Sequence, residues 1–272
     1  MAVGKACFCK THYSESGVVV MQIIKHARSL IKKDFRLILR DSFLIFMSFF
    51  IVVISVVLRF GLPLLDKYLV QREILPYWSI ASLASIYPLI ISFLAVFQGS
   101  LIIGTIFGFA LLDEKDDNTL RAMLVTPLSF TQYILFRIFV PMIIATATVI
   151  VQVLFIGQAI LPIGKLIVIA AGASFIAPIA TLFYATFAQN KVQGLAIAKF
   201  AGLAGWIILI AWFVSEPWQW LFSLFPPFLV CKAYWMAFAG NNFWWLVLLI
   251  GILLQVGLIA GLVHLFKKLV YR

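Results

Sequence analysis

Six long apolar runs divide this chain, and they limit its possible folds more than any other feature. A helix needs about 20 apolar residues to cross the hydrocarbon core of a membrane, where no water satisfies open backbone groups. Hydrophobic residues make up 64% of the chain and charged residues 11%, whereas about a quarter of a soluble domain is charged. We therefore predict an all-α polytopic membrane protein with six transmembrane helices, at about 42–60, 82–112, 135–157, 165–188, 194–214 and 243–265. The second run is long enough either to tilt strongly or to be broken near Pro88.

Lysine and arginine set the expected orientation, because loops rich in these residues stay cytoplasmic. Six spans place both termini on one side, and a cytoplasmic placement puts most of the 21 Lys and Arg residues there. The exceptions are Arg59, Lys67, Arg72, Lys165 and Lys232. We expect a multi-pass protein of the cell membrane, with its net charge of +11 contacting anionic lipid and not nucleic acid.

The amino-terminal region is predicted to have two parts before the six-span domain of residues 42–272. Residues 1–20 have no clear pattern, and Met21 is a possible alternative translation start. Residues 21–41 have the spacing of an amphipathic helix that lies on the cytoplasmic membrane surface. Its basic face carries Lys25, Arg28, Lys32 and Arg36, and its apolar face carries Ile24, Ile31, Phe35 and Ile38.

The segment between the fifth and sixth runs is too apolar for a water-exposed loop. It is rich in tryptophan, which favours the membrane interface, and Pro226 and Pro227 interrupt it. We expect it to form a pair of short re-entrant helices that dip into the outer leaflet without crossing.

Residues that could perform chemistry are scarce in the chain. No predicted span has a carboxylate at its centre, where ion-coupled carriers and membrane enzymes usually need one. Cys7, Cys9 and His12 fall short of the four ligands of a structural zinc centre, so we predict no metal site. The Gly-Lys pairs lack the pattern of a phosphate-binding loop, so an active transporter of this kind must use ATP and Mg²⁺ bound by a partner subunit.

The polar residues within the predicted spans are mainly amides and hydroxyls. Gln98 and Gln152 are candidates for a translocation path. The alternative is that they form hydrogen bonds between helices, which is the commoner role of such groups in membranes.

A polar island, LLDEKDDNTLRAMLVTPLSF at residues 111–130, follows the second run. Its carboxylates are Asp113, Glu114, Asp116 and Asp117, and we expect them to form an exposed cytoplasmic turn before a short helix of half-apolar character. Such a turn and helix suit docking into a groove of a soluble protein. A solvated loop is one alternative, and chelation of a divalent cation is another, although supporting histidines are absent.

This island resembles the signature E-K-E-x-G-T-L-x-x-L-L-V-T-P-L-S, which follows the second span in permeases of the type-2 ATP-binding-cassette exporter class. Asp116 replaces the second Glu of the signature, and Asn118 replaces its Gly. The matching residues are Glu114, Lys115, Thr119, Leu120, Leu124, Thr126, Pro127 and Ser129. The six spans, the amino-terminal helix and the interrupted outer segment extend the resemblance from about residue 21 to nearly the whole chain.

The resemblance implies a half-sized permease, two copies of which work with two cytosolic ATPase subunits. Residues 21–41 would be the connector helix, and about 113–130 the coupling segment. Mechanical coupling to the ATPase, not substrate contact, would then be carried by Glu114, Lys115, Thr119, Leu120 and Pro127.

Small residues at helical spacing provide a candidate dimer face in the fifth span, at Gly194, Ala198 and Gly202. Ser100, Gly104 and Gly108 have the same spacing in the second span. Packing within one subunit is the alternative for both sets. The exporter class makes its subunit contact through the first and fifth spans, which favours the fifth-span face.

The predicted function is export of an amphipathic small molecule, such as a drug, antibiotic or peptide, driven by ATP hydrolysis in a separate subunit. Export of a polysaccharide or lipid-linked glycan is the alternative within the class. A membrane-embedded enzyme or a non-transporting assembly protein would be of a different class.

Overall fold

The structure is a computed structural model that describes residues 33, 36–71, 83–116 and 130–270. The chain divides into two units, 1–45 and 46–272. In the first unit, residues 36–40 are helical and Arg36 is exposed. Asp41 begins the next helix, since its Oδ1 accepts hydrogen bonds from the backbone N–H groups of Phe43 (2.8 Å) and Leu44 (3.3 Å). Lys25, Arg28 and Lys32 lie outside the described residues.

Helices make up nearly all of the described chain. Ten α-helices are labelled in chain order: α1 Ser42–Gln71, α2 Tyr87–Ile91, α3 Gln98–Asp116, α4 Phe130–Ile156, α5 Ile163–Ala173, α6 Ile176–Phe187, α7 Lys191–Ala204, α8 Trp206–Phe213, α9 Pro226–Phe238 and α10 Trp244–Val270. Two 3₁₀ segments, Leu83–Ile86 and Trp218–Leu224, and a π-helical segment, Ser92–Phe97, connect some of them.

Six of the helical runs in the described chain are long and apolar enough to cross a membrane, which confirms the predicted all-α polytopic fold. Spans 1, 3 and 6 consist of α1, α4 and α10. Span 2 runs from the first 3₁₀ segment through α3, span 4 combines α5 with α6, and span 5 combines α7 with α8. The helix ends lie within a few residues of the predictions in most cases, and span 1 is longer than expected, ending at Gln71.

Span 2 changes its helical geometry near its start. It passes from a 3₁₀ turn through α2 into the π-helical segment and then into α3, so the backbone stays helical at Pro88. The irregular stretch supplies polar groups to a neighbour: Trp235 donates its indole N–H to Ser92 Oγ (2.6 Å), and the Cys231 thiol donates to Ser92 O (3.5 Å). Both partners lie in α9, which therefore packs against the π-helical segment.

Spans 2 and 4 form the centre of the bundle. Their backbones approach closely at Gly104, where an added Cβ would lie 2.7 Å from Ala180 Cβ. Two hydroxyl contacts cross the same interface: Thr181 Oγ1 donates to Gly104 O (3.0 Å), and Thr105 Oγ1 lies 3.1 Å from Tyr184 Oη. Gly104 and Gly108 thus serve packing within the chain, the alternative considered for the second-span stripe.

The segment before span 6 forms two short helices, the 3₁₀ segment Trp218–Leu224 and α9, as predicted. With 13 residues, α9 is about 20 Å long, which is less than the roughly 30 Å of a hydrocarbon core. Most of α9 is buried, including Lys232, whose Nζ donates to Glu216 Oε1 (2.6 Å) and to Gln219 Oε1. Burial raises the pKa of the Cys231 thiol in this helix above its ordinary value.

Candidate functional site

Three consecutive side chains near the end of span 2 hold three different helices. Residues in an α-helix are about 100° apart around its axis, so Asp113, Glu114 and Lys115 project in different directions. Asp113 contacts span 5, Glu114 contacts span 3, and Lys115 contacts the end of span 4. We call these three residues the 113–115 cluster, and the end of the bundle where they lie the 113–115 end.

Glu114 is the buried member of the cluster, with 1% of its side chain exposed. Its Oε2 accepts hydrogen bonds from Arg137 Nη2 (2.5 Å) and from the Tyr133 hydroxyl (2.7 Å). Arg137 is fully buried and also donates through Nε to the Tyr133 oxygen (3.2 Å). Tyr133 and Arg137 are four residues apart in α4, so helical geometry places them on one face.

The burial of this ion pair makes it sensitive to the loss of either partner. A charge taken out of water needs a close partner and further hydrogen bonds, and breaking a buried pair typically costs about 3–5 kcal/mol. Glu114 and Arg137 have both, since Tyr133 bonds to each of them. The contact therefore fixes the end of span 2 against the first turns of span 3.

Lys115 caps the end of span 4. Its half-buried Nζ donates to Ala188 O (2.8 Å) and to Ala185 O (3.4 Å). The last carbonyl groups of a helix lack intrahelical partners and carry a partial negative charge, so an ammonium group is favourable there. Lys115 is thus partly shielded from solvent, and both carbonyl groups remain within hydrogen-bonding distance of its ammonium group.

Asp113 connects span 2 to the start of span 5 through an ion pair with Lys191, in which the two atoms lie 2.7 Å apart. Both side chains are partly exposed, at 19% for Asp113 and 39% for Lys191. The start of α7 is fixed locally as well, because Asn190 Oδ1 accepts a hydrogen bond from Gln193 N (3.0 Å). Spans 3, 4 and 5 are thus each joined to span 2 at one level.

The expectation of an exposed acidic turn is wrong for Glu114 and Lys115. Glu114 is buried in a network with Arg137 and Tyr133, and Lys115 is half-buried against carbonyl groups. Only Asp116 among residues 113–116 is exposed. The pattern of charges resembled a solvated loop because the partners of these charges lie elsewhere in the sequence. The carboxylates of Asp113 and Glu114 face different cations, which disfavours a shared metal ion.

The rest of the predicted coupling segment lies outside the described residues. This applies to Thr119, Leu120 and Pro127, whose proposed role stays a prediction. The 113–115 cluster immediately precedes that segment in the chain, separated from Thr119 by only three residues.

Comparison with known proteins identifies the family. A family profile described as "Fluoroquinolones export permease protein Rv2686c-like" matches residues 34–263. The chain belongs to this family. Two relatives in Mycobacterium tuberculosis, named fluoroquinolones export permease protein Rv2686c (strain ATCC 25618 / H37Rv) and MT2760 (strain CDC 1551 / Oshkosh), are each 27% identical over 244 residues, covering 87% of this chain and 92% of the relative. No solved structure matches the chain.

Membership of this export permease family confirms the predicted resemblance to an exporter permease. The range matched by the family profile covers almost the whole described bundle, from the start of the first span to near the end of the sixth. The chain is thus a membrane permease whose described residues form six spans, and the 113–115 cluster is a feature of this bundle.

Gln152, one of the two predicted translocation residues, joins spans 1 and 3 of the permease. Its buried Nε2 donates to Ser55 Oγ (3.2 Å) and Ile51 O (3.4 Å). Its Oε1 lies against Gly99, next to the half-buried Gln98, so the two predicted residues lie at a similar level. A cavity of about 380 Å³ borders Ser55 and Gln152. Hydrogen bonding between helices is thus observed for Gln152, and a role in transport stays a prediction.

The predicted dimer face of the fifth span is only partly available. Gly194 is buried in the permease itself, where an added Cβ would lie 2.8 Å from Leu112 Cδ1 and 3.2 Å from Phe109 Cζ. Gly202 faces open space, and Ala198 is half-buried. The three residues therefore do not form one free face, because Gly194 is needed for packing against span 2.

Three partners of the cluster were not among the predicted site residues: Tyr133, Arg137 and Lys191. A signal for two of them is present in the sequence. Tyr133 and Arg137 are separated by one helical turn near the start of an apolar span, and an arginine in that position requires a buried partner. The acidic residues 113–117 are the nearest carboxylates on the same side of the predicted topology.

Proposed function

We propose that this chain is the membrane subunit of an ATP-driven exporter of amphipathic small molecules and that it works as a homodimer with cytosolic ATPase subunits. The ATPase would bind ATP and Mg²⁺, and the permease would provide the path. Both termini and the 113–115 end would face the cytoplasm. The observation that carries the proposal is the anchoring of Glu114 and Lys115, the first two matching residues of the coupling signature, to spans 3 and 4 in a member of an export permease family.

The cluster supports a mechanical role for the signature. A force on residues 117–129 would reach α3 at Asp116 and pass through three contacts to spans 3, 4 and 5. The Glu114–Arg137 ion pair would transmit displacement because it is buried and because Tyr133 forms hydrogen bonds with both of its members, which fixes its geometry. Glu114 and Lys115 would thus act as positioning residues inside the permease, and the exposed docking surface would come from the residues after them.

The names of the two relatives support a substrate of the fluoroquinolone kind. Such a compound is a small molecule with a flat ring system and charged groups, which fits the predicted class of amphipathic substrates. The exposed faces of the spans are strongly apolar, as expected for helices in contact with lipid.

Copurification tests the proposal directly. The tagged permease is isolated in mild detergent, and the proteins that accompany it are assayed for ATP hydrolysis. Inverted membrane vesicles that contain the permease are assayed separately for ATP-driven uptake of norfloxacin. We expect an ATPase subunit that is lost when residues 117–127 are scrambled and retained when the outer residues 240–243 are scrambled. A well-folded permease that brings down no ATPase would contradict the proposal and favour an assembly protein or membrane enzyme.

A further inference from the structure

A cavity separates spans 4 and 5 of the permease. Both spans pack on span 2, span 4 at Gly104 and Gly108 and span 5 at Gly194 and Gly205. Only three residues, 188–190, connect the two spans. Between them a space of about 460 Å³ remains, with span 2 as its floor and the start of α9 at one end. We call this space the 4–5 cleft.

Aromatic rings from four parts of the chain line the 4–5 cleft. They are Phe97 of span 2, Phe183 and Tyr184 of span 4, Phe200 of span 5, and Phe225 before α9. Phe97 and Phe225 contact each other edge to face, with ring centroids 5.9 Å apart. Phe183 and Phe200 are 38% and 72% exposed, so they mark the opening of the cleft at the side of the bundle.

The polar content of the cleft is low. Its one polar side chain, that of Tyr184, already shares a hydrogen bond with Thr105. A ligand would therefore gain energy here from ring stacking and burial of flat apolar surface, and it would keep charged groups at the opening. Ring pairs contribute beyond simple burial when they stack with an offset or meet edge to face, and a flexible acyl chain lacks this term.

The volume of the cleft suits a small molecule. Ligand pockets usually measure about 300–1,000 Å³ and bury most of the ligand surface among apolar and aromatic side chains. The observed volume of about 460 Å³ falls in that range. It accommodates one fused ring system and not a folded peptide.

We propose that the 4–5 cleft binds the planar aromatic ring system of an amphipathic small molecule that approaches from the membrane through the opening between Phe183 and Phe200. The inference rests on the proposed export function, because it assigns a site to the substrate of that function. Binding to the cleft is nevertheless a property of the permease subunit and is measurable apart from transport.

The test uses the full permease with its copurified ATPase in phospholipid nanodiscs and norfloxacin as the probe. Ala201 lines the cleft on span 5, and Ala201→Phe would fill it. Ala196 is exposed on the same helix outside the cleft, so Ala196→Phe is the matched control. We expect Ala201→Phe to weaken norfloxacin binding by about tenfold or more and Ala196→Phe to leave it unchanged.

A second variant removes a ring in place of filling the space. Phe200 is mostly exposed, so Phe200→Ala should preserve the fold. Loss of one aromatic contact should weaken binding roughly two- to tenfold. Unchanged binding in both Ala201→Phe and Phe200→Ala would overturn the proposal, as would the absence of norfloxacin binding to the unmodified permease.

Two further outcomes separate this inference from the proposed function. ATP-driven norfloxacin export with unaltered binding in the cleft variants would overturn the cleft and retain the exporter. Norfloxacin binding that depends on Ala201 and Phe200, without export by any complex, would retain the cleft and overturn the exporter. A photoreactive phospholipid acyl chain that labels the cleft and is not displaced by norfloxacin would show a lipid site and overturn the proposal.

Discussion

At the residue scale, the contacts of Glu114 determine both a part of the stability and the proposed coupling. Its carboxylate has 1% exposure and two donors, Arg137 and Tyr133. A carboxylate in such surroundings is favourable only while both donors are present, because desolvation opposes its charge. Stability and coupling are therefore separable only if both charged partners are replaced together.

We predict that Arg137→Leu lowers the free energy of unfolding of the permease by about 3–5 kcal/mol, because it leaves Glu114 buried without its cation. Replacement of both residues, Glu114→Leu with Arg137→Leu, should recover much of that loss, since apolar side chains then fill the site. Thermal unfolding of the purified variants in detergent measures both effects. Equal destabilisation by the single and double variants would contradict the buried ion pair.

The Asp113–Lys191 ion pair provides a contrast at the same level of the bundle. Both side chains are partly exposed, and ion pairs in contact with solvent contribute roughly 0–1 kcal/mol. Lys191→Ala should therefore shift the unfolding temperature only slightly, and the shift should shrink further in high salt. A loss as large as that of Arg137→Leu would show that Lys191 has a role beyond this pair.

The residue-level contacts were only partly predictable from the sequence. The signature identifies Glu114 and Lys115 in the sequence, but their side chains were predicted to be exposed to solvent. Four acidic residues in five positions, 113–117, indicate a hydrated turn in most proteins. The helix in fact continues to Asp116, and Arg137, which lies 23 positions further along the chain, neutralises Glu114. Pairing over such a distance depends on how the helices pack, which periodicity does not specify.

At the element scale, glycines decide how closely span 5 approaches span 2. An added Cβ at Gly194 would meet Leu112 and Phe109, and one at Gly205 would meet Phe93 and Phe97. Gly202 lies between them on another side of the helix and meets nothing within 4 Å. The fifth span therefore has an inner face that packs in the chain and an outer face that is free for lipid or a second subunit.

We expect Gly194→Leu to destabilise the permease by about 1–3 kcal/mol, because the larger side chain overpacks the contact with Leu112. Gly202→Leu should leave the stability of one subunit nearly unchanged. If span 5 makes the dimer contact, Gly202→Leu should shift the complex toward monomers in multi-angle light scattering. Similar unfolding temperatures for the two variants would contradict the assignment of the inner and outer faces.

The helices were predictable to a greater degree than their contacts. Apolar length determines each span because every backbone polar group must be satisfied within the membrane, so all six were found. The break in span 4 between Ala173 and Ile176 was not predicted. Pro178 accounts for it, since a proline lacks a backbone donor and its ring displaces the carbonyl of Ser174. The stripe of Gly194, Ala198 and Gly202 was assigned to one face because spacing alone cannot distinguish inner from outer packing.

At the scale of the whole molecule, the bundle has two chemically different ends. The 113–115 end has ion pairs among spans 2, 3 and 5. The opposite end has the tryptophan-rich segment and α9, where Lys232 pairs with Glu216. In the proposed orientation the first end faces the ATPase and the second faces the outside.

Cysteine labelling in intact cells checks that orientation. The experiment uses a permease that carries Cys7→Ser and Cys9→Ser. The remaining Cys231 is buried and should not react. We expect a membrane-impermeant maleimide to label Asn242→Cys, in the exposed turn before span 6, and not Gln189→Cys, in the exposed turn before span 5. The reverse pattern of labelling would mean that the permease is inserted with the 113–115 end outside.

We propose that the 113–115 cluster transmits the movement of the ATPase to the spans. The test uses a reconstituted complex whose permease carries both Glu114→Leu and Arg137→Leu. The quantity measured is the number of norfloxacin molecules exported per ATP hydrolysed. The matched control carries Glu216→Gln and Lys232→Met, an ion pair at the opposite end of the bundle. We predict that the cluster variant still binds the ATPase and hydrolyses ATP, while its transport per ATP falls by at least about fivefold and the control keeps its normal value. Unchanged transport per ATP in the cluster variant would contradict a coupling role of the 113–115 cluster.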